Sequence, residues 1–422
     1  MFSIFEIIAI LLTLTAVFAW INHVVLRLPN TIGLLLMALA ASLVLVGAEL
    51  LLPDISFSNE LSRLVEEVHF SEALLQGMLG FLLFAGALQV DLSQLRDRGW
   101  VIGVMATVGV FISTIVVASL FWLAAQWLNF PVPFAWALVF GALISPTDPV
   151  AVLSTLKEAN VKQSVATDIA GESLFNDGVG VVLFTILLAA ATHGGDDAFG
   201  PAEFLRLFFL EAGGGTVLGL ITGYIAYRAM RRIDEYVIEV LISISLVTGT
   251  YALASQLHIS GPIAVVVAGV FIGNRGVRLA MSETTQRHLL SFWTLIDEIL
   301  NSVLFLLIGL EVLVLQFAPD FVPLALVAIP IVLMARFFAV ALPVLALSIR
   351  KRFERGAIVI LTWAGVRGGI SIALALSIGD VAHRPVILAA TYTVAVFTIV
   401  VQGLSLGWAT KRLGLDGDPA KP

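Results

Sequence analysis

Apolar stretches long enough to cross a lipid bilayer follow one another along almost the whole chain. A spanning helix needs about 20 consecutive apolar residues, and no polar interruption between the stretches is longer than about 20 residues. Of the 422 residues, 59% are hydrophobic and only 13% are charged, against about a quarter in an ordinary soluble domain. This composition excludes a soluble enzyme and predicts an all-α membrane protein that forms one integral domain over residues 1–422.

The apolar pattern predicts thirteen transmembrane helices. Their expected bounds are 4–26, 31–52, 73–90, 100–128, 134–156, 164–191, 205–228, 236–257, 261–276, 293–316, 322–348, 356–379 and 386–410. Two mixed polar and apolar segments, 58–72 and 278–292, are expected to form short interfacial helices. Because thirteen is odd, the two termini are expected on opposite sides of the membrane.

Basic residues are distributed unequally between the two sets of loops. One set carries 18 of the 23 Lys and Arg residues, and the other carries only Arg63, Arg206 and Arg384. By the positive-inside rule, the amino terminus is expected outside and the carboxyl terminus in the cytoplasm of a plasma (inner) membrane. The two remaining basic residues, Arg336 and Arg367, lie near the middle of spans.

Two spans contain residues that interrupt a helix. In the fifth span, Pro146 and Pro149 flank Asp148, and each proline removes a backbone donor. The twelfth span has three glycines around Arg367. Asp148 is expected to offset the positive end of one half-helix and Arg367 the negative end of another. For the fifth span alone, a simple proline kink is an equal alternative.

The positions of the two breaks indicate an inverted repeat. Spans 1–6 and 8–13 would form two six-helix repeats, and the broken helix is the fifth of each. An offset of seven spans turns one repeat upside down relative to the other. Broken helices 5 and 12 would then cross at the midplane, as in secondary transporters.

The sixth span carries Asp168, Glu172 and Asp177, and the last two point in different directions. Asp177 lies about thirteen residues from the cytoplasmic end, roughly 20 Å deep. Glu172 and Asn176 share one helix face, and Asp177 lies about 140° around the helix from Glu172. A carboxylate with small neighbours can bind a monovalent cation or a proton. The alternative is a protonated acid that is hydrogen-bonded within the bundle.

Arg336 requires a buried anion because it does not deprotonate. Glu172 is the preferred partner, with Asp297 and Glu298 as alternatives, and such a pair is expected to be structural. Asp297, Glu298 and Asn301 would either shape an acidic ion entrance or pair with loop arginines. Four groups near span ends are expected in solvated or snorkelling positions: Glu239, Glu311, Asp91 and His258.

Enzymatic chemistry is not indicated. The chain has no Cys, and its six His residues are not spaced as metal ligands. No nucleophile–base arrangement is recognisable. We therefore expect no enzymatic activity, no cofactor and no nucleic-acid partner.

Three motifs, in order, resemble those of the monovalent cation:proton antiporter family, in its bacterial sodium/proton exchanger branch. They are Ser145–Val152, Gly171–Asp177 and Gly365–Ser371. The resemblance implies a homodimer with a dimer subdomain (about 1–99 and 236–316) and a core (about 100–192 and 322–412). A linker helix, about 205–228, would join them, and the core would move as an elevator.

The resemblance also implies a role for each matching residue. Asp177 would carry the cation or the proton, and Ser173 and the backbone of Thr147 would be cation ligands. Glu172 would pair with Arg336 and reach the cation through water. The helix crossing would be supported by Asp148, Asn176 and Arg367. Electrogenic relatives carry two adjacent acids where this chain has Asn176 and Asp177. One free acid implies electroneutral exchange of one cation for one proton.

The sequence therefore predicts an antiporter that exchanges intracellular Na⁺, or Li⁺, for extracellular H⁺. The monovalent cation would bind at Asp177, and both ions would be substrates. The first alternative is a K⁺/H⁺ antiporter of the same fold. The second is a cation channel, which also needs intramembrane acids, or a membrane sensor that does not transport.

Overall fold

The structure of the protein is a computed structural model. It describes residues 3–51, 77–150, 152, 156, 161, 163–193, 200–313, 319–348, 353 and 356–413. Backbone hydrogen bonds within a helix satisfy every interior amide and carbonyl without water, which explains why an apolar chain of this kind folds into helices.

The described part of the chain forms seventeen α-helices. They are α1 Ile4–Ile21, α2 Asn30–Leu51, α3 Leu79–Leu88, α4 Leu92–Val104, α5 Val110–Trp127, α6 Phe134–Ile144, α7 Gln163–His193, α8 Pro201–Met230, α9 Tyr236–Gln256, α10 Gly261–Phe271, α11 Val277–Ala280, α12 Glu283–Leu310, α13 Val322–Leu347, α14 Ala357–Trp363, α15 Gly369–Leu376, α16 Arg384–Phe397 and α17 Gly403–Arg412. Short π-helical turns join α4 to α5, α10 to α11 and α16 to α17.

The prediction of an all-α protein with many spans is confirmed. Within the described residues, eight helical stretches are long and apolar enough to cross a membrane. Three shorter apolar helices accompany them, Leu79–Leu88, Phe134–Ile144 and Gly261–Gly276. Two of the three owe their length to backbone interruptions, since Phe134–Ile144 precedes the proline break and Gly261–Gly276 starts at a Gly-Pro pair.

One predicted interfacial helix is not a separate element. Residues 278–292 were expected to form a short helix before the tenth span, but α12 is continuous from Glu283 to Leu310. Ser282 starts this helix by accepting a hydrogen bond from the Thr285 amide at 3.4 Å, and no proline or glycine follows that would separate its polar first turns from the apolar remainder. The other predicted interfacial helix, 58–72, lies outside the described residues.

The two predicted helix breaks are present. Helix α6 ends at Ile144, and the chain from Pro146 to Asp148 is not helical. The Asp148 side chain then accepts a hydrogen bond from the Val150 amide at 2.8 Å, which is the bond of a helix N-cap. The twelfth span is divided into α14 and α15 by a non-helical segment that contains Arg367.

Helix α7 lies between two groups of packed helices. One buried apolar cluster draws on α5, α6, α13 and α16, and another draws on α3, α9, α10 and α12. Helix α7 contributes Val179 and Leu183 to the first cluster and Leu174 to the second. The polar residues of α7 are therefore held where the two groups meet.

Candidate cation-binding site

The two broken helices are joined directly through their backbones. The Asp148 amide donates to the Val366 carbonyl at 2.8 Å. The Arg367 guanidinium donates through Nη1 to the carbonyls of Ser145 and, at 2.9 Å, Pro146. Arg367 thus offsets the negative carbonyl end of α6, the kind of compensation that the sequence predicts.

The Asp148 carboxylate lies at the amino-terminal end of α15. One of its oxygens is packed so closely against Gly368, the residue that precedes α15, that any Cβ at this position would overlap it. The negative charge of Asp148 is therefore placed at the positive end of a half-helix. A glycine at position 368 is required for this close approach.

Arg336 is paired with Glu172, the preferred partner among the three that sequence reasoning left open. Nη1 donates to Oε1 and Nη2 donates to Oε2 at 2.9 Å. Both side chains are buried, with 6% and 1% of their residue surface exposed. Arg336 also donates to the Leu361 carbonyl through Nε at 3.3 Å and Nη2 at 3.0 Å. It therefore holds the carbonyl end of α14 as Arg367 holds that of α6.

Asn176 binds the non-helical segment of the fifth span. Its amide nitrogen donates to Thr147 Oγ1 at 2.8 Å, and its carbonyl oxygen accepts from the Thr147 amide at 3.3 Å. Ser173 Oγ lies 2.9 Å from the same Thr147 Oγ1. One turn of α7 thus holds Thr147 from two sides.

A cavity of about 600 Å³ opens beside the crossing. Its polar lining residues are Thr147, Asp148, Asp177, Asp297, Asn301 and Ser371, together with Gln89, Asp91 and Thr167. It extends to Val161, just before α7 begins, and so leads to the face that carries the basic loops. Asp177 is 5% exposed, and its Oδ1 has no hydrogen-bond partner.

The predicted cation ligands fall into two layers. Asp177 and Thr147 line the cavity, whereas Glu172 and Ser173 lie behind them. Both Glu172 oxygens are bonded to Arg336, and the Ser173 hydroxyl is bonded to Thr147. Glu172 and Asp177 of α7 therefore have separate environments, the first neutralised by an arginine and the second facing the cavity.

Asp297 lies in the wall of the cavity, which is the first of the two placements that the sequence left open. Its Oδ1 accepts a hydrogen bond from Asn301 Nδ2 at 3.0 Å. Glu298 is exposed and does not line the cavity. Only one of these two adjacent acids therefore faces the crossing.

Two expectations about span ends are wrong. Glu239 and Glu311 were expected in solvated positions, but they are 0% and 3% exposed. The helix ends that carry them are covered by neighbouring helices; for example, Trp293 of α12 reaches across to Ser243, one turn after Glu239, at 3.0 Å. His258 is exposed and Asp91 is half-buried, as expected for span ends.

Sequence reasoning missed two polar contacts near the site. Arg98, which counts as a loop charge in the sequence, forms an ion pair with Asp168 of α7. The position of Asp168, one turn before Glu172 on the same face, was the available signal. Thr398 accepts a hydrogen bond from the Arg367 amide at 3.0 Å and so fixes the second break. No local pattern marks this threonine.

Comparisons with known proteins agree on one family. The family described as "Sodium/hydrogen exchanger, transmembrane" matches residues 10–412. The Na(+)/H(+) antiporter NhaP of Pseudomonas aeruginosa is 44% identical over 413 residues, covering 97% of this chain and 96% of that protein. The Na(+)/H(+) antiporter NhaH of Halobacillus aidingensis is 36% identical over 381 residues, covering 89% and 92%. The sodium proton antiporter MjNhaP1 from Methanocaldococcus jannaschii has a similar structure, with a TM-score of 0.74, 20% identity and coverage of 98% and 99%.

Proposed function

This chain belongs to the sodium/hydrogen exchanger family, and from that premise we propose that it is a Na⁺/H⁺ antiporter of the plasma (inner) membrane. The observation that carries the proposal is the buried, unpartnered oxygen of Asp177 in a cavity beside two broken helices. The relatives at 44% and 36% identity are Na(+)/H(+) antiporters, which favours Na⁺ over K⁺ as the substrate. We propose Li⁺ as a second cation.

Exchange rests on competition at Asp177. A carboxylate can accept a proton or coordinate a cation, and a proton on the carboxylate removes the charge that attracts the cation. Thr147 supplies further oxygen to the same cavity, and Asn176 holds Thr147 in place. Ser173 contributes through its bond to Thr147. Glu172 contributes by neutralising Arg336, and it reaches the cation through water.

The buried charges of the core favour electroneutral exchange. Asp148, Asp168 and Glu172 carry three negative charges, and Arg98, Arg336 and Arg367 carry three positive charges. Asp177 adds one negative charge, which either a Na⁺ or a proton cancels. The loaded core therefore carries no net charge in either form, and one Na⁺ is exchanged for one H⁺.

We assign the moving and static parts to the subdomains that the sequence predicts. The core, about 100–192 and 322–412, slides as an elevator past the dimer subdomain, about 1–99 and 236–316, and the linker helix at about 205–228 joins them. The contact surface supports sliding because core glycines face aliphatic side chains of the dimer subdomain: Gly178 faces Ile263, and Gly369 faces Leu304. The dimer subdomain would pair with its copy in a homodimer.

The same contacts argue against a cation channel. Ile263 packs against Gly178, next to Asp177 in the chain, so closely that a Cβ at position 178 would lie 2.8 Å from Ile263 Cγ1. This close contact next to Asp177 supports a cavity that is closed on that side, as alternating access requires. An unpartnered acid in an open cavity likewise argues against a sensor that no longer transports.

The basic loops indicate how the protein is oriented in the membrane, and the ion gradients then set the direction of transport. We place the cavity mouth in the cytoplasm, the amino terminus outside and the carboxyl terminus inside. Cytoplasmic Na⁺ then enters the cavity, and external protons drive its export. Sodium transport of this kind contributes to pH homeostasis.

The test of the proposed function is exchange by the purified protein in liposomes that contain a pH-sensitive dye. External Na⁺ or Li⁺ should raise the internal pH, because each entering cation releases one internal proton. Because the exchange is electroneutral, a potential imposed with a potassium ionophore should leave the Na⁺-driven rate unchanged. A strong voltage effect would contradict the 1:1 ratio, and a response to K⁺ alone would establish the K⁺/H⁺ alternative.

The natural absence of Cys allows the orientation of the cavity to be tested with single cysteines. Ala170→Cys places a thiol in the cavity wall of α7. A membrane-impermeant maleimide should label it from the cytoplasmic face, in inside-out vesicles. Ala191→Cys, near the opposite end of α7, is the matched control and should react from the outer face. Equal labelling of Ala170→Cys and Ala191→Cys from the outer face would refute the orientation.

A further inference from the structure

Ser371 is a buried hydroxyl group in the cavity that the proposed exchange cycle does not use. It is the third residue of α15 and only 1% exposed. Its Oγ has no hydrogen-bond partner, although it lines the same cavity as Asp177. Leaving a buried hydroxyl without a partner is unfavourable, because the group loses its hydrogen bonds to water and gains none in the protein. This cost indicates that a bound species completes the site.

The position of Ser371 directs it towards the helix crossing. Ser371 is the third residue of α15 and Gly368 immediately precedes this helix, so the two positions lie within one turn of each other at its amino-terminal end. Gly368 is the residue against which the Asp148 carboxylate packs. The hydroxyl therefore lies on the face of α15 that is turned towards the crossing.

The other hydroxyl groups near Asp177 are already occupied. Thr147 Oγ1 is bonded to both Asn176 and Ser173, and Ser173 Oγ lies behind the cavity wall. Among the buried side-chain oxygens of the described residues that line the cavity, Asp177 Oδ1 and Ser371 Oγ have no hydrogen-bond partner. Hard cations prefer several oxygen ligands, and a hydroxyl oxygen has lone pairs available for one.

We propose that Ser371 is a further ligand of the transported cation, so that the second broken helix supplies one of the cation's oxygen ligands. The inference rests on the proposed function and deepens it. A proton needs only the Asp177 carboxylate, whereas the cation needs Asp177 and Ser371 together. Ser371 thus favours the cation in its competition with the proton.

The test compares Ser371→Thr with Ser371→Val in the liposome assay. These two side chains have nearly the same shape and differ in the hydroxyl group. Ser371→Val should raise the KM for Na⁺ at least about fivefold relative to Ser371→Thr, with similar kcat values. At a fixed Na⁺ concentration, Ser371→Val should also be inhibited at a higher pH than Ser371→Thr, because the weakened cation loses the competition to protons earlier. Ser371→Ala should resemble Ser371→Val.

Ser377→Ala, at the residue that caps the carboxyl end of α15, is the matched control. Ser377 lies outside the cavity, and its hydroxyl donates to the Leu374 carbonyl at 2.8 Å. The KM of the Ser377→Ala variant for Na⁺ should therefore equal that of the wild type. A direct binding readout is the rise in Tm that Na⁺ produces in detergent, which should shrink in Ser371→Val but not in Ser371→Thr.

Two results would overturn the inference: equal KM values for Ser371→Thr and Ser371→Val, or a loss of kcat in Ser371→Val with unchanged KM, which would assign Ser371 to helix movement. Both results can be distinguished from a failure of the proposed function. In that case the wild type would produce no Na⁺-dependent pH change in the same liposomes.

Discussion

Replacing Asp177 by asparagine should reduce Na⁺/H⁺ exchange in liposomes by at least about 100-fold, the scale on which a group that takes up and releases the proton matters. The asparagine amide neither binds the exchanged proton nor supplies the negative charge that the cation requires. Since Asp177 is 5% exposed and its Oδ1 lacks a partner, the substitution should not lower the Tm. Removal of an uncompensated buried charge should leave the Tm equal or raise it.

Two variants make this experiment specific to the cavity. Asp177→Glu retains a carboxylate and should keep measurable exchange with an altered KM. Glu298→Gln neutralises an exposed acid outside the cavity and should exchange at the wild-type rate. If Asp177→Asn exchanges as fast as the wild type, the carrier is another group, and the cation site assigned here is wrong.

Replacing Arg336 by leucine should destabilise the folded protein by roughly 3–5 kcal/mol, the cost of leaving one partner of a buried ion pair uncompensated. Glu172 would remain buried without its guanidinium, and the Leu361 carbonyl at the end of α14 would lose its donors. The measurement is the thermal unfolding of the purified protein in detergent. We expect a large fall in Tm and a corresponding loss of exchange.

A double variant and a substitution in a surface ion pair separate the effect of the unpaired buried charge from the effect of lost packing. Arg336→Leu combined with Glu172→Leu removes both charges and should recover much of the lost stability. Arg206→Leu disrupts a pair with Glu203 whose side chains are 70% and 39% exposed, and it should change stability by less than about 1 kcal/mol. A Tm for Arg336→Leu equal to that of Arg206→Leu would show that the buried pair does not stabilise the core.

The helix breaks could be predicted from the sequence because their causes are local. Pro146 and Pro149 remove backbone donors wherever the helix lies, and glycines beside Arg367 permit unwound backbone in any surrounding. The asymmetric placement of Asp148 and Arg367 follows from helix-end electrostatics. In the structure, Arg367 lies at the negative carbonyl end of α6 and Asp148 lies at the positive amino-terminal end of α15.

The burial of individual acids could not be predicted in the same way. Glu239 and Glu311 lie near the ends of spans, where a single helix would expose them to water or headgroups. Neighbouring helices cover both, and this depends on how the helices tilt and pack. The mixed polar and apolar residues at the start of α12 misled for a similar reason, because the helix that joins them to the apolar span begins at one N-cap, Ser282.

The sequence by itself determined the membrane class, the family and the two breaks, because hydropathy, proline and glycine act over a few residues. Only the tertiary structure decided whether Glu172 or Asp177 of α7 remains available. Glu172 is neutralised by an ion pair with Arg336, which is 164 residues away in the chain. Asp177 instead lines a cavity that Ser371 also lines. Whether a buried carboxylate is neutralised or left to bind an ion depends on its partners in space, and those partners come from helices distant in sequence.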